Sequence, residues 1–335
     1  MRRGLAVTPM EIRRDVIVRA ATLADELGYE VFSVAEGWGL DSTVLLAELA
    51  VATRRITLAA GVLSVWGRSP ATIAMTAATL HRLSGGRFVL GLGASTRQLV
   101  EGWHDIGYER PASRLRDVTT RVRALLDGER AALSGAPTAA AAVPAVKGLR
   151  LGQPPVPGLP IWLAATGERT IQVAAELADG WYPLYLRRDR IRELAAGIAK
   201  QRTAAHPITV AAGPFTVVDP DVGAARAAAA ACTATYLAAM GDIYPRLVGA
   251  QGLAAEVDLV RSTGTIPEEA QILLDEFTAY GTAGMVQEQL VQWDATADVT
   301  MVGLPPGLPW PLIEATVRAA APRRSGDRVG DRWCC

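Results

Sequence analysis

Histidine, cysteine and aromatic residues are scarce in this chain, and each shortage closes off a class of function. The 335 residues include three histidines and three cysteines, and only 6% are aromatic. His81, His104 and His206 stand apart, with no HxxxH or HExxH pair to hold a catalytic zinc. Cys232, Cys334 and Cys335 form neither a disulfide framework nor a metal-ligand spacing. No GxSxG elbow marks a serine hydrolase. Charge of one sign is also lacking: 34 basic residues balance 34 acidic ones, so nothing electrostatic points to nucleic acid or a membrane surface. No apolar run approaches the roughly 20 residues of a membrane span. The opening MRRGLAVTP is too short for a signal peptide. A cytoplasmic protein is expected, with a small molecule or peptide as its partner.

What is present is punctuation. Half of the residues are apolar, and they fall into short continuous runs, each followed by an amphipathic stretch. The runs Gly4–Val7, Val31–Ala35, Ile56–Val62, Phe88–Leu92, Pro160–Ala164, Gly180–Pro183, Ile208–Val218 and Val299–Val302 read as strands buried on both faces, hence parallel. Thr8-Pro9-Met10-Glu11 reads as a capping box, with Gly28 as the left-handed stop of the helix that follows. Asp41 or Ser42 opens a second helix, and Ser69-Pro70 a third that Gly85-Gly86 closes. Further helices are expected over Ala112–Leu126, Thr170–Leu177, Gly223–Ala239, Val286–Trp293 and Pro311–Ala320. Gly241–Gly264 and Pro267–Ala279 look like inserted helices. Ser134–Gly158, rich in Ala, Pro and Gly, reads as an irregular excursion. Eight strands favour a closed (β/α)8 TIM barrel over an open sheet. Residues 1–322 then make one domain, and 323–335 a disordered tail.

Barrel enzymes keep their chemistry at the C-terminal ends of the strands. Gly91-Leu92-Gly93-Ala94-Ser95-Thr96 is no dinucleotide fingerprint, because Thr96 stands where a glycine is required and the run is not on the first strand. A crowded, glycine-rich strand end explains it better. Glu36 follows the second strand beside Gly37, Trp38 and Gly39, where a carboxylate suits hydrogen bonding or proton relay. Glu101-Gly102-Trp103-His104-Asp105 follows the fourth, and His104 is its natural proton donor. Ala165-Thr166-Gly167-Glu168 joins the fifth strand to a helix and offers amides to a phosphate.

Taken together, these stretches resemble the luciferase-like monooxygenase family, above all its branch dependent on the deazaflavin coenzyme F420. The resemblance runs from Gly4 to about Pro322 and is carried by VAEGWGLDS (34–42), GVLSVWGRSPATIAMTAATL (61–80), LSGGRFVLGLGAS (83–95), EGWHDIGYERPASRLRD (101–117), LAATGERTIQVAAELADGWYP (163–183) and MVGLPPGLPW (301–310). It implies a barrel with an insertion before the last strands, often a homodimer. It also implies a non-prolyl cis peptide at Gly61–Val62, bulging behind the deazaflavin ring. Gly93, Ala94 and Ser95 would line that ring. Ala165, Thr166 and Gly167 would hold the phosphate, with Gly180 and Trp181 nearby. Glu36 or His104 would donate the proton, and Trp38, Trp66 and Trp103 would wall the substrate. The sugar-phosphate dehydrogenases of the family carry a glutamate where this chain has Thr96. That departure speaks against glucose-6-phosphate oxidation and favours a reductase using F420H2 on an activated C=C or C=N. The rivals are an FMN-dependent monooxygenase on the same scaffold and a non-catalytic cofactor-binding paralogue.

Overall fold

The computed structural model describes residues 1–132, 147–202 and 206–322. Its strands are β1 (Arg3–Val7), β2 (Val31–Val34), β3 (Thr57–Ala60), β4 (Leu63–Ser64), β5 (Phe88–Gly93), β6 (Ile161–Ala164), β7 (Gly180–Trp181), β8 (Thr209–Ala212), β9 (Phe215–Val218), β10 (Thr278–Gly281) and β11 (Val299–Leu304). Every strand pairing is parallel, and the order β1-β2-β3-β5-β6-β7-β8-β11 returns to β1. The register Arg3↔Thr300 to Val7↔Leu304 seals the ring. This is the expected (β/α)8 barrel, with β9 and β10 as a parallel pair added beside β11.

Alternation along the strands sorts side chains into two cores. Leu5, Phe32, Leu58, Leu90, Leu163, Val210 and Val302 face outward into the layer beneath the helices. Val31, Ala59, Val89, Trp162, Ala211, Val299 and Met301 fill the barrel itself. A third cluster, with Tyr185, Phe215, Tyr236, Val257, Leu274 and Phe277, is supplied by the inserted helices and the segment after β7. At 25 cal/mol per Å2 or so of apolar surface, such layers dominate the stability of any barrel.

Local signals placed most elements. Asp41 caps the helix Ser42–Ala52 by accepting the amides of Thr43 and Val44. Ser69 caps Pro70–Leu83 through the Thr72 amide, and Gly28 adopts φ +83°. The capping box at Thr8 did not form. Its helix starts at Arg14, and Glu11 turns instead to the Arg13 amide (3.0 Å) and the Gly307 amide (3.1 Å). The chain must first cross from the barrel mouth to its flank, so Thr8–Glu11 is a turn, closed by Glu11 N–H on the Thr8 carbonyl. Ile208–Val218 is two strands, because Gly213-Pro214 interrupts the ladder. The stretch expected to be helical to Ala279 ends its helix at Phe277 and enters β10. A helix at Arg188–Gln201 was not foreseen; only Ile191 and Ile198 of it are buried, too sparse a stripe to read. Residues 147–158 carry no helix or strand, while 133–146 and the tail 323–335 with Cys334 and Cys335 lie outside the described residues. Among the described residues no helix is long and apolar enough to cross a membrane.

One carboxylate ties helix to strand. Asp25 accepts the amides of Arg54 (2.9 Å), Arg55 (2.8 Å) and Ile56 (2.6 Å) at the entrance to β3. Burial works to raise its pKa, but the three amides outweigh it and hold the group below the usual carboxylate value. A depressed folded pKa stabilises the fold above the unfolded value of about 3.9 and is lost as the pH falls through the folded one. The thermal midpoint of Asp25→Ala should therefore lie below wild type at pH 7. That gap should close on acidification below about pH 4; a gap unchanged at low pH would contradict this account.

Candidate active site

The C-terminal ends of β1, β2, β3, β7, β8 and β11 surround a crevice with about 70 Å3 of space. That is well below the usual range of small-molecule sites, roughly 300–1,000 Å3, so the crevice takes only part of a ligand that extends onto the rim. Thr8 after β1, Ala35 after β2, Gly61 after β3, Tyr182 and Leu184 after β7, Gly213 after β8, and Met301 and Gly303 of β11 line it, and Tyr236 from the helix Val222–Ala238 covers it.

Its floor is built around a bulge. β3 pairs β5 through Ala59↔Val89, and β4 pairs it through Leu63↔Leu92, so four steps on one side face three on the other. The Gly61–Val62 peptide within the bulge is cis, as expected. Val62 lays its side chain over β5, where a Cβ on Gly91 or Gly93 would come within 2.9 or 2.7 Å of it. The glycines of β5 are thus there for close approach. Ser33 Oγ sits under Gly61, and the Tyr182 hydroxyl donates to it at 3.4 Å. Burial pushes the Tyr182 hydroxyl pKa up, against the opposing effect of that bond.

Beyond β5 the chain turns through Ala94 and Ser95, the latter at φ +60°. Two aromatic side chains hold this turn: Trp66 Nε1–H donates to the Ala94 carbonyl (2.8 Å) and Tyr108 O–H to the Ser95 carbonyl (3.1 Å). Their rings meet at 5.6 Å. Thr96 then caps the short helix Arg97–Gly102 through the Leu99 amide. Past β6, Ala165 is fixed from behind. Trp181 is wholly buried, and its Nε1–H donates to the Ala165 carbonyl at 2.7 Å. Trp181 therefore reaches the turn only through Ala165. Gly180 faces the barrel interior, where a Cβ would meet the Trp162 ring at 2.3 Å. Thr166 is half-buried and Gly167 exposed, at the head of the helix Glu168–Leu177. Thr170 Oγ1 accepts the Gly167 N–H (3.2 Å), while Glu168 and Arg169, next along, are exposed. First-turn amides have no intrahelical partner and suit an anion.

The remaining sequence candidates lie on the rim. Glu36 is held by an ion pair with Arg68, by the Ser64 amide (3.2 Å) and by the Ser42 hydroxyl (3.5 Å). Arg68 also binds Asp41 (3.1 Å), so this carboxylate locks β2, β4 and a helix start together. The His104 ring lies against Gly67, where a Cβ would be 3.1 Å from Cε1. Trp38 and Trp103 are 45% and 62% exposed, away from the crevice lining. Neither Glu36 nor His104 is among that lining. Sequence reasoning passed over Thr8, Tyr108, Tyr182 and Tyr236. Strand alternation from Gly180 could have turned Tyr182 inward. The long Ala-rich helix gave no sign of Tyr236, and Thr8 was spent on a cap.

Fold and mouth together define a (β/α)8 barrel with a crevice at the C-terminal ends of its strands, where barrel enzymes keep their chemistry. The family model of luciferase-like monooxygenases matches residues 2–299, and the chain belongs to that family. It is 31% identical over 304 residues to a Mycobacterium tuberculosis protein named as a coenzyme F420-dependent oxidoreductase, covering 83% of this chain and 87% of that one. Among solved structures, it superposes on the coenzyme F420-dependent tetrahydromethanopterin reductase of Methanopyrus kandleri with a TM-score of 0.71 at 19% identity, over 96% of this chain and 97% of the other. It also superposes on the FMN-bound 3,6-diketocamphane monooxygenase component of Pseudomonas putida, with a TM-score of 0.70 at 15% identity, over 96% and 98%. The two likenesses to structures show a shared fold for both cofactors.

Proposed function

We propose that this chain is an F420H2-dependent reductase acting on an activated C=C or C=N of an organic substrate, such as a dehydroamino acid in a natural-product precursor. The observation that carries this reading is the likeness to a relative named for F420, which spans 83% of the chain. The mouth fits such a group. Its lining includes the small residues Gly61, Gly213 and Gly303, and a Cβ on Gly61 would fall 1.9 Å from Ser33 Oγ. At the exposed start of the helix Glu168–Leu177 the Gly167 and Thr170 amides are bonded within the turn, which leaves those of Glu168 and Arg169 for an anion.

In this reading Gly61, Val62, Gly93, Ala94 and Ser95 support the deazaflavin ring, and Ala165, Thr166 and Gly167 bind its phosphate. When bound, the reduced deazaflavin supplies a hydride from its C5. The protein's own work is to position, to exclude water and to deliver a proton. Trp66 and Tyr108 keep Ala94 and Ser95 in place, and Trp181 does the same for Ala165. Of the two proton-donor candidates, neither of which lines the crevice, His104 is the less committed. Glu36 is committed to Arg68, whereas the His104 ring makes no hydrogen bond among the described residues.

Titration of the purified protein with F420 and, separately, with FMN, followed by tryptophan quenching, tests this. F420 should saturate the signal and FMN should not. Preference for FMN would move the protein to oxygen-consuming chemistry, and binding of neither would leave a barrel without this cofactor role.

A further inference from the structure

Among the described residues, no charged side chain lines the mouth crevice. Glu36, next in the chain to the lining residue Ala35, has its carboxylate turned to Arg68 and Ser64. Polar groups in the lining are three hydroxyls, on Thr8, Tyr182 and Tyr236, and the Tyr182 hydroxyl is taken by Ser33. Burial pushes both tyrosines up from their ordinary value, so they are neutral near pH 7.

Thr8 is different. Its residue is 6% exposed, and its Oγ1 is wholly buried with no hydrogen-bond partner. Most buried hydroxyls in folded proteins are paired; of the six unpaired buried side-chain atoms among the described residues, only Thr8 Oγ1 belongs to a residue that lines the crevice. Nothing local supplies that bond. The Thr8 carbonyl accepts the Glu11 amide, and Glu11 itself is occupied with Arg13 and Gly307. A charged ligand group in this crevice would lose its water and find no countercharge. A neutral one would find apolar walls and the hydroxyls of Thr8 and Tyr236.

We propose that Thr8 is a specificity-determining residue, whose hydroxyl donates to the carbonyl oxygen or imine nitrogen of a neutral, otherwise apolar substrate. The crevice therefore rejects molecules that present a carboxylate or phosphate at that end. This rests on the reductase reading for the word substrate, and on the crevice alone for the binding preference.

Calorimetric titration of the full chain, with and without F420, decides it. The probes are cyclohexenone and cyclohexenecarboxylate, alike in size and unlike in charge. Cyclohexenone should bind wild type and Thr8→Ser alike. Thr8→Val, which keeps the shape and drops the hydroxyl, should bind it about tenfold more weakly. Cyclohexenecarboxylate should bind at least about tenfold more weakly than cyclohexenone to wild type. Equal binding of the two probes, unchanged binding to Thr8→Val, or no cyclohexenone binding even with F420 present would overturn the proposal. Should Thr8→Val fail to fold by circular dichroism, the two probes on wild type still decide. If F420 fails to bind while the cyclohexenone pattern holds, the reductase reading falls and this one stands; F420 binding with a preference for the carboxylate gives the reverse.

Discussion

Gly91→Ala should lower the stability of the barrel by about 3 kcal/mol, the upper part of the usual range for overpacking. A Cβ at this position would lie 1.9 Å from the Ala60 carbonyl oxygen and 2.9 Å from Val62 Cγ1. The first of these is backbone in a paired strand, so it cannot swing aside as a side chain would. β3 and β5 would have to part, with loss of the Leu58↔Phe88 and Ala59↔Val89 pairing. Gly93→Ala should cost less, since its Cβ would meet the Val62 side chain at 2.7 Å and then Ala164 at 3.5 Å. Gly102→Ala has nothing within 4 Å and should stay within about 1 kcal/mol of wild type. Urea midpoints of the three variants should fall in that order. Indistinguishable midpoints would remove the packing explanation for the glycines of β5.

Asp294→Ala should cost about 3–5 kcal/mol, by leaving a buried guanidinium without its countercharge. Arg3 and Asp294 have side chains 4% and 7% exposed, and they meet at 2.7 Å and 3.2 Å. Thr300 adds a hydroxyl to the same carboxylate (2.8 Å), and Arg3 reaches the Ala320 carbonyl (3.1 Å). The pair lies at the seam where Arg3 of β1 registers with Thr300 of β11. Removing both charges, as Arg3→Met with Asp294→Leu, should recover much of the loss, because a well-packed apolar pair often matches a buried ionic one. A double-mutant cycle on denaturant midpoints measures the coupling. Additive single and double effects would mean that the two charges do not depend on each other.

Much of the architecture was legible. The strands read from short apolar runs became the eight staves of the barrel, and Asp41, Ser69 and Gly28 acted as the caps and stop their chemistry suggests. The misreadings have physical causes. Arg188–Gln201 hides its helix because a charged surface helix needs only Ile191 and Ile198 inside. β10 follows a helix without a turn residue between Phe277 and Thr278, so no punctuation announces it. The cap pattern at Thr8 was sound locally and lost to Arg13 and Gly307, one of them nearly 300 residues away along the chain in the 296-residue separation from Glu11.

The site was legible as segments and not as an assembly. Glycine-flanked turns after the strands pointed to the right rim, since a barrel offers its ligand only the strand ends. Which side chains face the ligand was beyond local reading. Trp181 looked like a site residue from its neighbours, yet alternation along β7 sends it into the outer core, with only its N–H returned to Ala165. Glu36 looked free until Arg68, 32 residues on, folded back to meet it. Thr8 looked satisfied until the tertiary fold took Glu11 away from it. The sequence by itself determined the eight barrel strands and most helix ends, because these depend on periodicity and on contacts a few residues apart, and its motifs carried the resemblance to the family. Ring closure, the bulge against β5, the partner of each rim charge and the unpaired hydroxyl in the mouth were decided only by the tertiary structure. Each depends on groups that are distant in the chain and become neighbours once the eighth strand meets the first.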